Sequence, residues 1–170
     1  MIIDEITKKD LENIYHTFLC DERILKMQEI PMHRGSNCYI HSFKVAKLAM
    51  KRALRHKQVD LYIILLAAIL HDYYLYDWRS DRSKMKRHLK DHPHLAAENA
   101  VKDFGIHQSI KKAIEAHMWP INIKKFPSSK EARIISLADK SIYWKEIMCS
   151  KAYKQKKKEK YLKEIETLFE

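Results

Sequence analysis

The run Leu61-Tyr62-Ile63-Ile64-Leu65-Leu66-Ala67-Ala68-Ile69-Leu70-His71-Asp72 decides how the rest of the chain is read. Its apolar part is too short to span a bilayer and reads as a buried helix. Such a helix carries an imidazole and a carboxylate into the interior as adjacent residues. Buried ionisable groups need partners, so either hydrogen bonds hold the pair or the pair holds a cation. The other histidines must decide between these.

The surrounding composition points to helices. Only two glycines and four prolines occur in 170 residues, and the long stretches rich in Leu, Ile, Ala, Lys and Glu suit helices joined by short turns. With 46% hydrophobic and 32% charged residues, the expectation is one soluble all-α domain spanning residues 1–170. The net charge of +11 favours anionic partners such as phosphates, nucleotides or nucleic acid, though it constrains them weakly. Cys20, Cys38 and Cys149 are far apart and odd in number, which indicates neither a disulfide framework nor a thiolate zinc site. The N-terminus, Met1-Ile2-Ile3-Asp4-Glu5, meets acidic residues at once and lacks the pattern of a secretory signal. A cytoplasmic location without membrane attachment is expected.

Working outward, Thr7-Lys8-Lys9-Asp10 resembles a capping arrangement before a first amphipathic helix with Leu11, Ile14, Tyr15, Phe18 and Leu19. Breakers from Pro31 to Asn37 precede a second helix whose apolar face includes Tyr39, Ile40, Phe43, Val45 and Leu48, and His41 shares that face. The third helix should run from about Asp60 to Tyr74. After the polar connection Trp78–Ser83 comes a strongly basic segment, Lys84 to His92. Its Lys84, Lys86, Arg87 and Lys90 suit phosphates or simply a solvated face.

Asp91-His92-Pro93 has the marks of a helix start, with proline in the first turn, and Gly105 closes that helix. His88 and His92 are four apart and share a face only if the helix is continuous, whereas His94 points elsewhere. A further helix, Ile110 to His117, puts His117 at a terminus before Met118-Trp119-Pro120. Ser128-Ser129-Lys130-Glu131 is a capping-box candidate for a helix through Ile134, Ile135, Ala138 and Ile142, and Asp139 falls within its apolar stripe. Residues 151–170 read as a basic terminal helix with one apolar edge, either a cap on the bundle or an RNA contact.

Taken singly, each of these polar residues has an ordinary explanation. Together, His41, His71-Asp72, His92, His117 and Asp139 recur at helix ends or on apolar faces. Imidazole and carboxylate suit zinc, iron, manganese or nickel, and the lack of clustered cysteines argues against a closed structural zinc site. The set reads as an open catalytic site.

The order His41, His71-Asp72, His92-Pro93-His94-Leu95-Ala96-Ala97, His117 and Ala138-Asp139-Lys140 resembles the HD-domain superfamily of metal-dependent phosphohydrolases. The likeness runs from about residue 33 to 145 and is nearest to small stand-alone bacterial members. It implies a multi-helix bundle in which His41, His71, Asp72 and Asp139 bind a primary divalent transition metal. His92 and His117 match the extra ligands of two-metal members, with Asp72 bridging. The implied reaction is hydrolysis of a phosphate ester, since two cations acidify a water and polarise a phosphoryl oxygen. Asp72 and His88 are then the catalytic candidates, His88 as general acid, alternative ligand or outer partner. Arg34, Lys44, Arg79 and Lys140 are candidates for holding substrate phosphates, and His33 for the rim. Met118-Trp119-Pro120 stands where cyclic-dinucleotide phosphodiesterases of this superfamily carry a glycine-tyrosine-proline signature, which disfavours that substrate. A nucleotide or another small phosphate ester is the expected substrate. The alternatives are a regulatory module that holds metal without turnover, and a basic RNA-binding helical protein.

Overall fold

The computed structural model describes residues 8–32, 36–80 and 82–148. They form seven α-helices: α1 (Lys8–Cys20), α2 (Glu22–Leu25), α3 (Cys38–Ala53), α4 (Leu61–Leu70), α5 (Arg82–Phe104), α6 (Gln108–Ala116) and α7 (Lys130–Met148). A 3₁₀ turn, Lys26–Glu29, follows α2. Among the described residues there is no strand, only an isolated bridge between Pro31 and Asn37, so the fold is all-α as expected. Thr7, His33, Arg34, Cys149 and the basic segment 151–170 lie outside the described residues.

The buried run is the axis of the bundle. Asp60 starts α4 by accepting the amide hydrogens of Tyr62 and Ile63 at 2.9 and 3.1 Å, the ordinary task of an N-cap carboxylate. Every residue from Ile64 to Leu70 is buried, because α3, α6 and α7 all pack against α4. A helix covered on all sides needs no polar face, which is why this stretch shows no amphipathic period. The helix stops at Leu70, with His71 as its C-cap, so the His71-Asp72 pair stands just beyond the last turn.

Two local expectations are corrected. Asp91-His92-Pro93 does not start a helix: α5 runs unbroken through Pro93. Proline removes the amide that would bond to the Leu89 carbonyl, at a cost of about 3 kcal/mol in a helix interior. Burial of Ala96, Ala97 and Ala100, on a helix packed against α6, offsets it. At the start of α7 the cap is shifted by one residue. Ser129 Oγ accepts from the Ala132 amide at 3.1 Å, while Glu131 reaches across to the Asp60 amide at 3.1 Å and ties the starts of α7 and α4 together. Gly105 closes α5 at φ +59°, a left-handed conformation that glycine adopts without strain, and its amide bonds back to the Val101 carbonyl.

Candidate metal centre

Five elements deliver the six residues singled out above. His41 lies at the end of the first turn of α3, whose start is fixed by Asn37 Oδ1 accepting from the Ile40 amide at 2.9 Å. His71 and Asp72 follow the end of α4, His92 sits midway along α5, His117 is the C-cap of α6, and Asp139 lies in the middle of α7. All six side chains are buried, Asp139 the most exposed at 8%.

Asp72 stands between two groups of donors. Its Oδ2 lies 3.4 Å from His71 Nε2 and 3.9 Å from His41 Nε2, and Asp139 Oδ1 closes that side at 3.1 Å from His41 and 3.7 Å from His71. Its Oδ1 faces the other way, 3.4 Å from His92 Nε2 and 3.8 Å from His117 Nε2. Donors that share one cation at about 2.0–2.2 Å stand roughly 3–4 Å from each other. Both groups have that spacing.

The outer ring nitrogens settle which nitrogen faces inward. His71 Nδ1 donates to the Ala68 carbonyl at 2.8 Å, His92 Nδ1 to the His88 carbonyl at 2.7 Å and His117 Nδ1 to the Ile114 carbonyl at 2.7 Å. A carbonyl only accepts, so each Nδ1 carries a hydrogen and each ring turns Nε2 inward, with a free lone pair on the neutral His92 and His117. Two consequences follow. His71 Nε2 is buried without a hydrogen-bond partner. His92 Nε2 and His117 Nε2 meet at 3.0 Å, lone pair against lone pair. Both are unfavourable contacts in a protein alone and favourable ones around a cation, so the donor set fits a metal.

The charges divide along the same line. For His41, burial disfavours the cation, but hydrogen bonds to Asp139 and Glu146 outweigh it and raise the pKa to about 9. His71 rises well above its ordinary value against the same burial penalty, through Asp72 and Asp139. Asp72 and Asp139 are held well below the usual carboxylate range despite burial, by the histidines around them. On the other side burial dominates: His92 is lowered, and His117 falls to about 3, helped by the charges of His71 and His92. The His41 side pairs protonated imidazoles with carboxylates; the His92 side offers neutral imidazoles.

A sequence model of the family described as HD domain matches residues 38–143, well over half of the chain and all six of these residues. The chain belongs to the HD-domain family. Comparison with curated proteins and with solved structures returns no match. The HD-domain family consists mostly of metal-dependent hydrolases, and the two donor groups here are compatible with divalent metal.

The remaining candidates are distributed unevenly around this HD domain's centre. His88 lies against it: its ring stacks on His92 with centroids 4.5 Å apart, Trp78 stacks on its other side at 5.1 Å, and Tyr76 Oη is 2.9 Å from its Nδ1. Lys44 and Lys140 have protein acceptors. Lys44 Nζ donates to Glu146 Oε1 at 2.8 Å, and Lys140 Nζ donates to the His117 carbonyl at 2.8 Å and to Ser136 Oγ at 2.7 Å. Arg79 is exposed beside Asp77, its guanidinium 5.6 Å from the Trp78 ring centre. Arg34 and His33 lie outside the described residues. Glu146, which sequence reasoning passed over, is half-buried, with Oε2 3.0 Å from His41 Nδ1. Its only sequence signal is a spacing of seven from Asp139, two turns along the same face of α7.

Proposed function

We propose that this HD domain hydrolyses a phosphate ester, of a nucleotide or another small phosphorylated compound, at a centre holding two divalent transition metal ions. The observation that carries the reading is the placement of Asp72, one carboxylate oxygen turned to the His41–His71 group and the other to the His92–His117 pair. His41, His71, Asp139 and Asp72 would hold one ion, and Asp72, His92 and His117 the other. When bound, such ions polarise a phosphoryl oxygen and acidify a water.

The chain's own part is orientation and charge. Backbone carbonyls fix three imidazoles with Nε2 inward, so ligands are arranged before any ion arrives. His88, stacked on His92 and bonded to the Tyr76 hydroxyl, is the residue we assign to proton transfer at the leaving oxygen. The exposed Arg79, Arg82, Lys86 and Lys90 supply positive potential around Trp78 and the first half of α5, which draws in phosphates.

The test is metal-dependent turnover on nucleoside monophosphates, dinucleoside polyphosphates and simple phosphomonoesters, with manganese, iron, nickel or zinc supplied in turn. Hydrolysis by the wild type that a chelator stops, and that Asp72→Ala lacks, is the expected result. Full metal loading with no turnover on any phosphate ester would instead support a regulatory module. Salt-sensitive binding of RNA that survives Asp72→Ala would support the nucleic-acid reading.

A further inference from the structure

Four histidines present Nε2 to the centre, and each must place its Nδ1 hydrogen somewhere. For His71, His92 and His117 the acceptor is a carbonyl of the same helix, three or four residues back. The rings of His71 and His117, just past helix ends, fold back on the last turn, and the Ile114 carbonyl takes both the amide and the ring of His117. The ring of His92, within α5, folds back on the preceding turn. His41 differs. It lies in the first turn of α3, and its own amide bonds to the Asn37 carbonyl.

Its acceptor comes from another helix. Glu146 Oε2 takes the Nδ1 side of His41 at 3.0 Å, while Asp139 Oδ1 lies 3.1 Å from Nε2. The two carboxylates are seven residues apart on α7, about 10.5 Å along the axis, and the His41 ring bridges them. Lys44, one turn beyond His41 on α3, donates to the other oxygen of Glu146 at 2.8 Å and fixes the rotamer. Glu146 is nearly buried, at 11% side-chain exposure, and it lies three residues past the end of the family match.

We infer that Glu146, anchored by Lys44, is a positioning residue: an outer carboxylate partner of His41 that makes the His41–His71–Asp139 group the tighter of two metal sites, filled before the His92–His117 group. The inference rests on the metal-binding reading above. A carboxylate acceptor makes the imidazole a stronger donor than a carbonyl does, and it confines the ring to one orientation. The His41 group also has Asp139 as a second anionic ligand, whereas the His92–His117 group shares only Asp72. The same contacts give Lys44 a role distinct from gripping substrate: it holds the residue that holds the ligand.

The experiment is a titration of metal-free protein with zinc alone, read by competition with a chromophoric chelator. Wild type should bind two equivalents in distinguishable steps. Glu146→Gln, which keeps the shape and removes the charge, should weaken the first step by about 10–100-fold and leave the second near its wild-type value. Glu146→Asp should recover part of that loss. If Glu146→Gln binds both equivalents as wild type does, or weakens both equally together with a lower melting temperature, the inference is overturned and Glu146 is structural. Wild type that binds no zinc would defeat the metal-binding reading itself, a separate outcome. Nitrogen-15 spectra of zinc-loaded wild type need no variant to fold: Nε2-bonded, Nδ1-protonated His41 is expected, and metal at Nδ1 would contradict the arrangement.

Discussion

His41 and His117 are both buried histidines on the edge of one carboxylate, yet their protons behave oppositely. His41 keeps its proton up to about 9 because Asp139 and Glu146 overcome burial, while burial and cationic neighbours push His117 down to about 3. At neutral pH a metal entering the first group must therefore expel a proton, whereas the second group is already deprotonated. Loading at pH 7.5 should release protons, seen in calorimetry as a binding heat that changes with the buffer's ionisation enthalpy, and affinity should rise as pH climbs towards 9. A buffer-independent heat would contradict the charge assignment. The same proton acts on folding. His41's folded value lies above its unfolded value of about 6.5, so its contribution is complete below 6.5 and is lost as pH rises through about 9. Chelator-stripped protein should lose melting temperature across that window, and zinc-loaded protein should not.

The same residues show what a sequence can and cannot reveal. His71 and Asp72 announce themselves because a polar pair ends an apolar run, and Asp139 because it interrupts an apolar stripe. Glu146 gives no such signal: it stands among Tyr143, Trp144 and Lys145 at the charged end of α7, and its burial depends on how α3 meets α7. The partners of Lys44 and Lys140 are equally tertiary. A lysine near a ligand in a basic chain reads as a phosphate contact until the acceptor on another helix is seen.

At the level of the helix, α4 fixes both the core and the position of His71 and Asp72. Its start depends on Asp60. Asp60→Ala should cost about 1 kcal/mol by urea unfolding while leaving metal content intact, since the loss is at the far end of the helix from the centre. Its middle depends on packing. Ile69→Ala, at a wholly buried position two residues before His71, should cost about 2–5 kcal/mol. A neutral effect of Ile69→Ala would show that α4 is not enclosed. These features were legible because continuous burial has a plain signature. The unbroken α5 was not: Pro93 after Asp91 satisfies the local rules for a helix start. The packing of Ala96, Ala97 and Ala100, with α5 set against α6, is what carries the helix past it.

Across the whole molecule, the centre gathers residues from α3, α5 and α7 and from the ends of α4 and α6, so a bound ion cross-links most of the bundle. Ligand that binds only the folded state stabilises it in proportion to its affinity, by about 2.7 kcal/mol when free ion stands at a hundred times its dissociation constant. In a chain of this size that is roughly 5–10 °C of melting temperature, to be gained on adding zinc and lost on chelation. Among the described residues no helix is long and apolar enough to cross a membrane.

The central claim is that Asp72 divides one buried pocket between two ions. The most direct measurement is elemental analysis of protein purified without chelator, comparing wild type with Asp72→Ala and His117→Ala. About two transition metal ions per chain in the wild type, about one in His117→Ala and close to none in Asp72→Ala is the result expected. One ion per chain that His117→Ala leaves unchanged, or full metal content in Asp72→Ala, would contradict it.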